Sequence, residues 1–299
     1  MMKLLRAAFH RYIKSCLFLI CSWLSLILGL CLGIYLHQEP SFSEPHMWII
    51  ILELALIAIF VSLGVGTEYT HGGFQKKLIT GATREKIFLS ELLVLIALIS
   101  LMFLLCSVPV VAINARLIPN FPVNTLFWFL CGTWLCTVSF AVTVLTITIL
   151  IPSRAFAAVV ALLVLFGMLI WNDTITTRLE QPEQWESIRY DEATDSSVII
   201  LEENEKYIRP PLHTFLSMVD NCLPTTQFIF CTDALSACFH SDESWAQIWE
   251  GLPDQPPERR DTVAPEDAQR ICTFPLYSSS WGVLIAIMGL VLFRKKSLK

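Results

Sequence analysis

The chain has 299 residues, 55% of them hydrophobic and 16% charged, with a mean hydropathy of +0.60. Soluble domains carry about 25% charged residues, so the composition argues against a soluble globular protein and for a membrane one. The formal net charge of −5 offers no basic surface of the kind that binds nucleic acid, and no nucleic-acid partner is expected.

Residues 1–15 place Leu4, Leu5, Phe9 and Ile13 on one side of a helix and Arg and Lys largely on the other, as in a helix lying in a membrane interface. The apolar run at 16–36 comes next. Its length exceeds the ~7–15 residues of a signal-peptide core and no small-x-small cleavage site follows, so a retained membrane helix is expected. Further runs at 48–65, 87–113, 126–151, 155–171 and 275–293 are long enough, or nearly so, to cross a hydrocarbon core that needs ~20 helical residues. Gly29 and Gly33 in the first run form a Gly-x-x-x-Gly, a sign of close helix contact such as an interface between two copies.

Glu53 is the only acid well inside a membrane run, while Glu91 sits near the end of the third. An intramembrane carboxylate is a functional candidate by default: Glu53 reads either as a contact on a substrate path or as a structural hydrogen-bond partner, and Glu91 as an interfacial, structural acid. Between the second and third runs lies "GTEYTHGGFQKKLITGATREKIFLSELL", residues 66–93. There 74–80 forms about two turns of helix, with Phe74 and Leu78 at i,i+4, Gly81 as a left-handed cap and Thr83 as the cap of the next helix. The fourth run carries Thr133, Thr137, Ser139, Thr143, Thr146 and Thr148. These residues, Thr137 and Thr143 among them, either line a pathway or let helices pack closely.

Residues 172–274 interrupt the apolar pattern. They hold 7 Lys/Arg and 20 Asp/Glu, a net −13, whereas the rest of the chain holds 14 basic and 6 acidic residues, a net +8. The part at 173–205 reads as loosely ordered with a short strand at 197–201. Leu212, Phe215, Leu216, Val219 and Leu223 then recur at helical spacing. Pro224 breaks this helix, Thr225 or Thr226 caps a second, and 240–271 returns to a Pro-rich polar surface excursion. Six of the ten cysteines lie in the apolar runs; Cys222, Cys231, Cys238 and Cys272 lie in the insert. An even number outside fits one or two disulfides in an oxidising compartment, with three complete pairings open, and free thiols on a buried helical face fit equally well.

Basic residues orient the chain. Four lie in the N-terminal tail, four in 67–86, one at Arg154 and four in the C-terminal tail, whereas 37–47 has none and 114–125 has Arg116 alone. The positive-inside rule places both termini, 66–93 and Arg154 in the cytoplasm. The expected fold is an all-α polytopic membrane protein of six spans: 1–171 with an elbow helix and five spans, the extracytoplasmic insert 172–274, and 275–299 with the sixth span and a basic tail.

The stretch "EYTHGGFQKKLITGATREKIFLSE" resembles the intracellular signature of ABC-2 type permeases: an acidic-aromatic start, a short helix, a Gly-x-[Ser/Thr]-Arg turn and an apolar "IFLS". Gly72-Gly73 stands where Gly-Thr is usual. "KYIRPPLHTFLSMVDNCLPTTQ" (206–227) and "WGVLIAIMGLVLFRKKSLK" (281–299) are similar to the outer amphipathic helix and the last helix of bacterial members. The resemblance implies the membrane subunit of an ATP-driven transporter, an exporter in the plasma (inner) membrane, paired with a second permease copy or paralogue. The helix after Gly73 would then be a coupling helix, with Phe74 and Leu78 anchored in a groove of a cytoplasmic ATPase. Lys76, Lys77 and Arg84 would meet acidic rims or lipid head groups.

The chain has no Gly-x-x-x-x-Gly-Lys-[Ser/Thr], so ATP and Mg would be held by the partner. No enzymatic motif is present, and the six histidines show no metal-ligand spacing. The alternative is a non-transporting sensor or peptide-resistance component that binds an extracellular cationic ligand through 172–274.

Overall fold

The computed structural model describes residues 2–38, 43–114, 123–179, 181–191, 196–204, 206–239 and 265–295. It contains six helices long and apolar enough to cross a membrane: Cys16–Tyr35, Ile51–Thr70, Arg84–Ile113, Phe127–Leu150, Arg154–Leu179 and Leu276–Lys295.

The chain opens with α1 (Met2–Ile13), whose buried Ala8 and Tyr12 face the bundle. Phe9, on the apolar side, is 40% exposed. The Ser15 side chain accepts from the Phe18 amide at 3.1 Å and starts α2 (Cys16–Gln38). Helix α3 (Ser43–Thr70) descends to α4 (Gly73–Ile79), and α5 (Arg84–Asn114) rises from it. Helices α6 (Val123–Leu150) and α7 (Arg154–Trp171) follow, joined by a turn in which Ser153 accepts from the Phe156 amide.

Beyond Trp171 the fifth span does not stop where composition suggested. A π-helical turn, Asn172–Thr176, and a last helical turn α8 (Thr177–Leu179) carry it eight residues further. The insert then forms an antiparallel hairpin, β1 (Gln184–Asp191) and β2 (Ser196–Glu203), with Ile188 opposite Ile199. The strand expected at 197–201 is therefore half of a longer ribbon. Two helices come next, α9 (Leu212–Cys222) and α10 (Pro224–Phe239). Residues 240–264, most of the expected surface excursion, lie outside the described residues. The final helix α11 runs Pro265–Lys295, starting ten residues before the expected span.

Helix α6 is the most buried span and sits centrally, against α11, α3, α10 and α5; α2 lies on α5 and α7 on α3. Leu98, Ile99, Met102, Phe140, Val144 and Leu145 form its packed interior with Ile57 and Phe60. Leucine, valine and isoleucine side chains on α2, α5, α7 and α11 are exposed, as expected of faces whose solvent is lipid.

Close approaches rest on small residues. A Cβ on Gly29 would meet the Cys106 carbonyl oxygen at 2.2 Å, and one on Gly33 the Pro109 carbonyl oxygen at 3.2 Å. The Gly-x-x-x-Gly is thus used within the chain, between α2 and α5, rather than between copies. Gly282 and Gly289 likewise bring α11 onto Ser139 and Thr146 of α6. The end of α11 meets α4 and the start of α5, so both termini of the described chain lie at one end of the bundle, here termed basal.

Candidate functional site

The basal end is organised around α4. Gly72 (φ 67°) precedes it and Gly81 (φ 87°) ends it, both left-handed, a conformation favoured by glycine. The Gly81 amide donates to Leu78 and the Ala82 amide to Lys77, closing the C-terminus; Thr83 accepts from the Lys86 amide at 3.4 Å as α5 begins. These local features match the reading of 66–93. Gly73 has a further role: a Cβ there would lie 2.5 Å from Glu68 Cγ, so only glycine lets α4 fold back over the end of α3.

Four charged side chains and a tyrosine converge beneath α4. Lys77 Nζ lies 2.6 Å from Glu68 Oε1 and 2.6 Å from Glu91 Oε1. Arg11 of α1 pairs with Glu68 and reaches Glu91 Oε1 at 3.3 Å. The Tyr12 hydroxyl donates to Glu91 Oε2 at 2.9 Å. Glu91 is fully buried and Glu68 nearly so, and two cations balance two carboxylates. Burial pulls the Arg11 guanidinium down in pKa, but Glu91 and Glu68 outweigh it and hold the group above its ordinary value. Burial, then Glu91, push the Tyr12 phenol well up, so it stays a neutral donor. Elements α1, α3, α4 and α5 meet at this one neutral cluster.

An aromatic contact adds α11. Phe74 is 2% exposed and meets Phe293 at 5.8 Å between ring centroids, edge to face; Phe293 also packs on Phe88 and Phe74 on Tyr69. Arg84 Nη1 donates to the Arg294 carbonyl at 2.8 Å, and Arg294 pairs with Glu85. Arg84 so caps the C-terminal end of α11, where the helix dipole favours a cation.

These positions revise the expected roles. Phe74 and Leu78 do form one stripe, but it faces the chain's own core rather than a partner. Lys77 is spent on Glu68 and Glu91, and Arg84 on α11. At 100° per residue Ile79 lies about 140° around the helix from Phe74, and it is 85% exposed. Gln75, Lys76 and Thr80 are exposed with it. Beside this face a cavity of about 480 Å3 is lined by Arg11, Ser15, Thr67, His71 and Lys76.

The other singled-out residues do not assemble into one site. Ser25 donates to Glu53 Oε1 at 3.0 Å, between α2 and α3. Thr137 donates to the Thr133 carbonyl, and Thr143 donates to Ser139 and accepts from Trp281 Nε1 at 3.2 Å. Ser139 also donates to the Ser278 carbonyl across to α11. Cys222 and Cys231 are free thiols, Cys231 being buried against the bundle, which raises its pKa. The side chains of Cys238 and Cys272 lie outside the described residues. Among the described residues no group of three or more His, Cys, Asp or Glu could hold a metal.

At the opposite end, α10 folds against α6 and α11, and α9 against α11 and the extension of the fifth span. Asp220 is buried and accepts from Thr176 and Thr226 hydroxyls, each at 3.0 Å. Thr225 donates to the Met168 carbonyl at 3.5 Å. Neither threonine caps α10, as had been expected; Pro224 starts it instead, at the position where a missing N–H costs nothing.

Composition marked the charges of 66–93 but not Glu68 or Arg11 as partners. The available signal was a lysine placed between two acids that bracket it from apolar helix ends. No protein-family model matches the chain, and no curated protein does either.

Proposed function

We propose that the chain is the membrane-spanning permease subunit of an ATP-driven ABC transporter, working as an exporter with a second copy or a paralogue and coupled through 66–93 to a separate cytoplasmic ATPase. In this reading the basal end is cytoplasmic and the protein is multi-pass in the cell membrane. The observation that carries it is α4: a short helix, hinged at two left-handed glycines, pinned on its inner side to α3, α5 and α11, joined to α1 through Glu68 and Glu91, and bare on its outer side. Force applied to Gln75, Lys76, Ile79 and Thr80 has no slack to take up before it reaches α1, α3, α5 and α11. Nucleotide-driven closure of two ATPases would move the ends of these spans together.

The test is recovery of the tagged chain from its native membrane in mild detergent, followed by mass spectrometry of its partners. A stoichiometric protein with a Walker A motif is expected, lost in Ile79→Asp/Lys76→Glu. Recovery without an ATPase, from membranes that express one, would overturn the reading. It would favour a sensor that engages a cationic ligand through the acidic segment 172–274, whose −13 charge is the feature that suits it.

A further inference from the structure

We propose that a cavity of about 470 Å3 between α8 and the start of α9, lined by Arg178, Lys206 and Arg209, binds the headgroup of an anionic phospholipid whose acyl chain lies along Leu212, Phe215 and Met218. The charge is locally inverted. Residues 172–274 carry a net −13, yet three of their seven basic residues line this one cavity. All three side chains are exposed, and among the described residues none makes an ion pair. Tyr207 lines the same cavity, an amphipathic ring of the type enriched at membrane interfaces.

Depth supports a lipid. Helix runs continuously from Arg154 to Leu179, so Arg178 stands about 36 Å along the axis from Arg154. The hydrocarbon core is about 30 Å thick and reaches about 40–45 Å with its headgroup layers. With Arg154 at one interface, Arg178 falls among the phosphates of the other. Helix α9 then crosses the extension of the fifth span: His213 Nε2 is 3.2 Å from the Leu179 carbonyl and Asp220 is held by Thr176, a turn nearer the membrane, while Thr225 at the start of α10 reaches Met168 of α7. Leu212, Phe215 and Met218, each more than half exposed, therefore descend from the cavity toward the acyl chains.

Cations above and an apolar stripe below match a phosphodiester above and a chain below. A soluble phosphate would leave the stripe bare, and a zwitterionic lipid would bring an ammonium group against the three cations. This reading does not depend on an ATPase partner.

Native mass spectrometry of the full chain in detergent, titrated with dioleoyl phosphatidylglycerol or phosphatidylcholine, is the test. Arg178→Gln/Lys206→Gln/Arg209→Gln should weaken phosphatidylglycerol binding about a hundredfold, at roughly fivefold per cation, and leave phosphatidylcholine unchanged. Arg178→Lys/Arg209→Lys should retain binding, while Phe215→Ser/Met218→Ser should weaken it. A diazirine-bearing phosphatidylglycerol, photolysed on the unmodified chain, should label 206–218. Undiminished binding by the glutamine variant, labelling confined to other segments, or full displacement by glycerol phosphate would each overturn the proposal.

Discussion

Lys77 is the residue on which the basal cluster turns. It is 14% exposed and equidistant from two buried carboxylates, so removing it leaves Glu68 and Glu91 facing each other with only the half-exposed Arg11 between them. Breaking a buried pair by deleting one partner costs about 3–5 kcal/mol. Arg11, at 41% exposed, is screened by water and is worth about 1 kcal/mol or less. Lys77→Met is therefore expected to lower the melting temperature in detergent well below that of Arg11→Met. Adding Glu91→Gln to Lys77→Met should recover part of the loss; equal melting temperatures for the two single variants would count against the cluster. Little of this was legible beforehand. Lys77 and Glu91 are fourteen residues apart and Glu68 and Arg11 are further, so their meeting depends on how four helices stack.

At the scale of the element, α4 has two faces with different consequences. Phe74→Ala empties a site filled against Phe293 and Tyr69 and should cost about 3–5 kcal/mol in stability. Ile79→Asp changes an exposed position and should shift stability by no more than about 0.5 kcal/mol, while abolishing partner recovery. A thermal melt and a pull-down on the same two variants separate the faces, and a large loss of stability in Ile79→Asp would contradict the assignment. Asp220 ties the α9–α10 pair to the fifth span's extension, beside the Gln227 amide that donates to the Asn221 carbonyl. Asp220→Ala strands the Thr176 and Thr226 hydroxyls, at about 1–3 kcal/mol. Hydrogen exchange should show faster exchange in 212–231 with α6 unaffected. Helical spacing placed both helices in advance, but the stripe expected to be buried on α9 is split, with Leu212 and Phe215 exposed and Leu223 buried, and spacing did not say which side of α4 the core would claim.

For the whole molecule the orientation is a measurable matter. Single cysteines at Ile79 and Arg209, in a background without exposed native cysteines, should label with membrane-impermeant maleimide from opposite sides. Arg209→Cys is expected to react in intact cells and Ile79→Cys only after permeabilisation. Reaction of both from one side would overturn the arrangement of six crossings with both ends basal.

The amino-acid sequence alone determined the number and place of the spans, because a hydrocarbon layer demands ~20 apolar residues whatever their neighbours. It also determined how α4 ends and α5 begins, since a left-handed glycine and a threonine cap are settled within a few residues. Tertiary structure decided the rest. The fifth span gained a π-turn, and the helix of the last span starts ten residues before the apolar run, because α9 and α10 offered surfaces that composition does not encode. Gly29 and Gly33 served α5 rather than a second copy, because Cys106 and Pro109 present carbonyls where a small residue is needed. Phe74 turned inward because Phe293, more than two hundred residues later, ends its helix beside it. Such pairings are properties of the packed bundle and of no single segment within it.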